Sequence, residues 1–196
     1  MDILTTPDRV IPAADYRRER WRNGLGWTRE ILRLPEQADW QLRLSIAEIE
    51  QDAAFSSFPG IERELVLLDG AGLRLRFADG RCVTLLPPYQ RLRFAGEDEL
   101  VGELVDGATR DFNLMWRRAE LQAELRHRQL VGSMEFFNEP QVAWAIHLLT
   151  GQADFNDAAM QAGDTAWLGA RAHRRHVLHG SGELLAIRIT PAGTSG

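Results

Sequence analysis

The chain has 196 residues, 44% of them hydrophobic and 26% charged, proportions of an ordinary globular protein that exclude intrinsic disorder and a collagen repeat. A formal net charge of −5 excludes the broadly basic face of a general nucleic-acid binder. All 23 basic residues are arginine, so a Schiff-base or P-loop lysine is absent and anion recognition falls to guanidinium forks, backbone amides and hydroxyls.

The first residues, MDILTTPDRVIPAADYRRERW, carry acids early and no unbroken apolar run, which fits neither a secretory signal nor a transit peptide. No window approaches the roughly 18 apolar residues of a membrane span, so a cytoplasmic protein with no membrane partner is expected. Residues 8–16 read as a short helix or an edge strand. Short apolar segments then follow at 27–33, 41–50, 65–69, 73–77, 83–86, 91–95, 112–117, 129–136, 143–149, 165–168 and 184–190, each a predicted strand. They are separated by turn chemistry such as Leu34-Pro35-Glu36, Asp79-Gly80, Pro87-Pro88 and Gly180-Ser181-Gly182. Between residues 73 and 86, Leu73, Leu75 and Phe77 alternate with Arg74 and Arg76 before the Asp79-Gly80 turn, a hairpin with one wet and one dry face. Residues 98–104 read as a loop or single turn. Many short strands at regular spacing indicate an all-β sandwich or barrel. The Gly-Asp turn of 162–168 followed by the apolar strand of 182–189 resembles the closing half of a cupin-type barrel, with 61–94 as its counterpart in a first barrel. The expected architecture is therefore two RmlC-like jelly-roll barrels in one compact bicupin unit, residues 1–118 and residues 119–196.

The densest chemistry lies early. In Trp21-Arg22-Asn23-Gly24-Leu25-Gly26-Trp27-Thr28-Arg29-Glu30 the glycines allow a tight path, Asn23 suits a turn, and Thr28 and Glu30 share one strand face. The next strand puts Arg43, Ser45 and Ala47 on one side, an odd choice for a packed core because a buried guanidinium without partners is costly. A concave, partly polar interior explains it, with Glu30 neutralising Arg43. An ordinary surface ion pair worth under about 1 kcal/mol is the plain alternative. Phe55 and Phe58 with Arg63 suit a flat anionic molecule, rings on its faces and a guanidinium on its carboxylate; they equally suit a plug for a barrel end. Asp111 and Asn113 place two more polar groups on one strand face.

Metal and nucleophile signals are thin. His173, His176 and His179 are spaced by three and cannot all face one ion from a straight strand, no His-x-His occurs, and His147 stands apart. No metal and no other cofactor is expected, and residues 171–176 read as a solvated loop or an anion-attracting patch. Cys82 has no adjacent histidine, its being the single cysteine precludes an intramolecular disulfide, and no G-x-S-x-G elbow occurs.

Four separated motifs in order, Trp21-Arg22-Asn23-Gly24-x-Gly26-x-Thr28-x-Glu30, Arg43-x-Ser45-x-Ala47, Phe55-Ser56-x-Phe58-x-Gly60-x-x-Arg63 and Gly107-x-x-x-Asp111-x-Asn113-x-Met115, resemble the HutD/Ves family. The resemblance implies a bicupin of bacterial histidine utilisation, or of stress responses in the Ves branch. It implies a regulatory role, binding a small anionic metabolite such as urocanate or formylglutamate and limiting pathway output, with no established catalysis. It puts the pocket in the N-terminal barrel on Asn23, Thr28, Glu30, Arg43, Ser45, Arg63, Asp111 and Asn113, to which Phe55 and Phe58 add the covering rings. Two other readings remain open: a metal-independent isomerase, epimerase or hydrolase using Glu30 or Asp111 as acid or base, and an interaction module with a vestigial pocket. A homodimer is the default for cupins, though no residue argues for it.

Overall fold

The computed structural model describes residues 2–36, 39–171 and 174–193. Among them the strands are β1 (Arg9–Ile11), β2 (Arg17–Arg20), β3 (Gly26–Leu34), β4 (Leu42–Ile49), β5 (Ala53–Ala54), β6 (Ile61–Asp69), β7 (Leu73–Phe77), β8 (Cys82–Leu85), β9 (Arg91–Ala95), β10 (Leu100–Leu104), β11 (Thr109–Arg117), β12 (Leu121–Asn138), β13 (Ala143–Phe155), β14 (Ala158–Gln161), β15 (Thr165–Leu168) and β16 (Arg174–Pro191). Two 3-10 turns, Ile3–Thr5 and Ala13–Asp15, precede the second strand, and no helix is long and apolar enough to cross a membrane.

The chain divides into two compact units, residues 17–119 and residues 1–16 with 120–196. In the first, a six-stranded antiparallel sheet, β2-β3-β4-β11-β6-β9, faces a four-stranded one, β5-β10-β7-β8. Period-two alternation makes the core between them: Ile49, Leu65, Leu67 and Phe94 from one sheet meet Leu73, Leu75, Phe77, Leu85 and Leu100 from the other. The expected hairpin is present, Leu73 opposite Leu85 and Arg76 opposite Cys82, and its arginines face outward. Residues 98–104, expected as a loop, instead include β10, which pairs with β5 and β7. Gly102 hides its alternation, because it holds an inward position where a Cβ would come 2.8 Å from the Phe55 ring.

The second unit is built on β1-β15-β13-β16-β12, with β14 beside β13. Its core gathers Leu130, Phe136, Ile146, Leu148, Phe155, Leu178 and Leu184. Residues 1–16, expected in the first barrel, belong here. β1 pairs with β15, Arg9 opposite Trp167, and the Tyr16 hydroxyl reaches the Gly163 carbonyl at 2.5 Å and Thr165 Oγ1 at 2.7 Å. Gly180-Ser181-Gly182, expected as a turn, lies inside the 18-residue β16. A Cβ on Gly182 would meet the Thr150 carbonyl oxygen at 1.9 Å, so these glycines serve close backbone approach beside a bulge at Leu148/Thr150. Within the run expected as a solvated loop, Arg174, Arg175 and His176 instead open β16. His176 is fully buried, stacked on Phe155 at 5.5 Å, with Nδ1 3.0 Å from Asn156 Nδ2. His173 lies outside the described residues.

His147 on β13 is 2% exposed, with Nδ1 2.9 Å from Thr165 Oγ1. Burial pushes its pKa down to about 4, against the weaker pull of Asp164. Below pH 6.5 the unfolded chain takes up a proton that the folded chain refuses until about pH 4, so stability is lost as pH falls through that window. Urea unfolding at pH 7 and pH 4 is expected to show the parent losing about 3 kcal/mol relative to His147→Gln over that range.

Candidate ligand pocket

The polar cluster forms because three inner-face rows cross the six-stranded sheet in register. One runs Thr28–Ala47–Asp111–Leu67, the next Glu30–Ser45–Asn113–Leu65, and the third Arg33–Arg43–Met115–Arg63. Alternation alone would put Arg33 on the face opposite Glu30. A bulge between Glu30 and Leu32 resets the phase and brings Arg33 inward.

Glu30 then bridges the two arginines that stand opposite each other, accepting from Arg43 Nε at 2.8 Å and from Arg33 Nε and Nη2 at 3.1 and 2.8 Å. Burial pushes the Glu30 carboxyl up, but hydrogen bonds and charge from Arg43 and Arg33 outweigh it and hold it below its ordinary value. An ionised carboxylate held this way is a poor proton donor or acceptor near neutral pH.

Arg63 is different. It is 7% exposed, and Nη2 donates to Asn113 Oδ1 at 2.9 Å. Nε has no hydrogen-bond partner, and no carboxylate among the described residues pairs with it. Its guanidinium carbon lies 5.1 Å from the Phe55 ring, 5.8 Å from Phe58 and 5.0 Å from Phe94, a cage that holds a cation by ring quadrupoles without neutralising it. Burial, with the charge of Arg43, pushes its pKa down to about 10, so it stays protonated at neutral pH.

These groups open into a cavity of about 570 Å³, within the range of small-molecule sites. Of the ten residues expected to form the site, Asn23, Thr28, Arg43, Ser45, Phe55, Phe58, Arg63 and Asn113 line it. Glu30 stands behind Arg43. Asp111 is 0% exposed, one strand over from Ala47, where burial pushes its pKa up to about 8 against a smaller pull from Thr109. On the inner-face rows Arg33, Arg43 and Arg63 thus stand against the ionised Glu30, and Arg20, Arg22 and Glu19 join the lining of the cavity. Among the described residues no cluster of His, Cys, Asp or Glu could hold a metal.

The lining also includes Ala47, expected on the Arg43 face, and Trp21, Arg22, Ser56 and Met115, not expected there from single-strand alternation. Trp21 closes a hairpin between β2 and β3, its backbone N–H donating to the Gly26 carbonyl at 3.0 Å and its Nε1 to Thr28 Oγ1 at 2.8 Å. Asn23 Oδ1 accepts from Leu25 N at 3.1 Å and Gly24 takes φ +73°, the Asn-Gly signature of a tight turn, which was the available signal. A Cβ on Gly26 would lie 2.5 Å from the Glu48 carbonyl oxygen and 3.1 Å from the Trp21 ring. Gly26→Ala is therefore expected to cost about 1–3 kcal/mol by urea denaturation and to displace Trp21 from the cavity wall.

Two units of antiparallel strands, one with an arginine-rich pocket on its inner sheet face, define a bicupin. The chain belongs to the HutD family, whose family model matches residues 13–186. It is 33% identical over 171 residues to Protein Ves of Cronobacter sakazakii, covering 87% of this chain and 92% of that one. It is 39% identical over 119 residues to an uncharacterised 21.2 kDa protein in the hutC 3′ region of Pseudomonas putida, 60% of this chain and 62% of that protein. The solved structure of HutD from Pseudomonas fluorescens SBW25, in a formate condition, superimposes with a TM-score of 0.83 at 28% identity over 95% of this chain and 100% of that one.

Proposed function

We propose that the pocket of residues 17–119 binds a small carboxylate and that the protein is a regulatory component of histidine utilisation, sensing urocanate or formylglutamate and limiting pathway output. The observation that carries this reading is Arg63, a buried guanidinium with no carboxylate partner among the described residues, opening into a cavity beside Arg43. An isolated buried charge is costly, and an anionic ligand supplies the missing partner through a bidentate, charge-assisted contact. Thr28, Ser45 and Asn113 offer hydrogen bonds around it, and Phe55 and Phe58 cover an apolar or planar body. The family and the relative from the hutC 3′ region support the metabolic setting. Acid–base catalysis by Glu30 or Asp111 gains no support, since neither lines the cavity.

The test is thermal melting against urocanate, formylglutamate, histidine, glutamate and formate. A ligand at a hundredfold over its dissociation constant stabilises by about 2.7 kcal/mol, which at this chain length moves the midpoint by roughly 5–10 °C. One carboxylate is expected to produce such a shift while histidinol, lacking the carboxyl group, does not. Equal shifts with both, or none with any compound, overturn the reading.

A further inference from the structure

The second unit has a cavity of its own, of about 320 Å³, at the rim of the inner face that carries Ile146, Leu148, Leu184 and Ala186. Its floor is apolar. Trp144 and Phe136 meet edge to face at 5.4 Å, with Met134 and Ala186 beside them. Its rim is charged. Register places Glu124, Arg188 and Trp144 in one row across β12, β16 and β13, and Arg126 beside Ala186 in the next.

Both acids of the lining already have partners. Glu124 Oε1 accepts from Arg126 Nε at 2.8 Å and Nη2 at 2.5 Å, and Glu135 pairs with Arg175 at 2.6 Å. Arg128 and Arg188 have no carboxylate or hydrogen-bond partner among the described residues. Arg188 is half-buried on a strand with neighbours on both sides and lines the same cavity as the two rings, whereas Arg128 is exposed at its edge. Two uncompensated guanidinium forks over an aromatic floor, in a chain of net charge −5, are a local positive well with flat apolar walls.

We infer that this cavity is a second anion site, which takes a small planar carboxylate, ring on Trp144 and Phe136 and carboxylate on Arg188 and Arg128. Its volume is at the lower end of ligand pockets, roughly 300–1,000 Å³, which suits a single ring. The bidentate geometry of guanidinium with carboxylate sets the anionic end, and offset or edge contacts with the two rings set the apolar end. The site is independent of the Arg63 pocket and stands whether or not that pocket binds a ligand.

The test follows the Trp144 indole N–H in two-dimensional ¹⁵N–¹H NMR spectra of the full chain, its resonance identified by its loss in Trp144→Phe. Arg63→Met is used as background so that the first pocket contributes nothing. Titration with benzoate is expected to move that resonance saturably, while benzamide, the neutral analogue of the same shape, leaves it in place. Arg188→Gln is expected to weaken benzoate about tenfold or more, the loss of a charge-assisted contact, with Arg128→Gln acting in the same direction and both variants keeping the parent melting profile. No saturable shift with benzoate, an equal shift with benzamide, or undiminished affinity in folded Arg188→Gln overturns the inference.

Discussion

Replacing Arg63 with methionine is expected to move ligand affinity and ligand-free stability in opposite directions. The guanidinium loses hydration on burial and among the described residues regains one hydrogen bond, to Asn113, and three ring contacts. Methionine fills similar volume among Phe55, Phe58 and Phe94 without a charge to desolvate. The ligand-free variant should gain about 1–3 kcal/mol in urea unfolding, the range by which apolar replacements of buried ions stabilise. Carboxylate binding should fall by about 30-fold to 1,000-fold, the loss of 2–4 kcal/mol from a buried charge-assisted pair. Calorimetric titration and unfolding of the same preparation check both halves. A variant that binds undiminished, or that loses stability along with affinity, would show that Arg63 holds the barrel and not the ligand.

The second large effect concerns Asp111. The folded chain keeps its proton up to about pH 8, whereas an unfolded aspartate loses it near pH 4. Between those values the folded state holds the extra proton, so stability falls as pH rises and the loss is complete once pH passes 8. The full span is on the order of 5 kcal/mol. Asp111→Asn keeps the shape and polarity of the protonated acid and removes the titration. It should match the parent near pH 4 and exceed it by several kcal/mol at pH 8, read from denaturant midpoints across that range. His147 acts in the opposite sense between about pH 4 and 6.5, so the two effects nearly cancel there and the parent's stability should fall chiefly above pH 6.5.

Much of this arrangement is legible in sequence wherever the two-residue period of a strand runs undisturbed. Arg43, Ser45 and Ala47 announce a polar inner face because an uninterrupted β4 keeps them in phase, and Glu30 joins them by the same rule on β3. Arg33 escapes it because the bulge after Glu30 shifts its phase by one residue, and a bulge of this kind has no glycine to mark it. β2 is exposed along its length, so its Arg-Arg-Glu-Arg run has no apolar alternation, and Trp21 at its end loses its context. β10 is obscured by the one glycine that makes room for Phe55. At Gly180 and Gly182 the error has the opposite origin: turns and close strand crossings both call for glycine, and only register across β13 tells them apart.

The division of the chain bears on how it is made. Residues 17–119 are contiguous and contain every strand of both their sheets, so this unit has its full complement of partners as soon as it leaves the ribosome. β1 does not: Arg9 faces Trp167, which is synthesised far later. At about 5–20 residues per second the first strand waits roughly 10–30 s for its partner, and residues 17–119 are complete for about the last 2–10 s of that wait. During that wait the nascent chain exposes an unpaired strand to chaperones and proteases, beside a unit that reaches its full set of strands first.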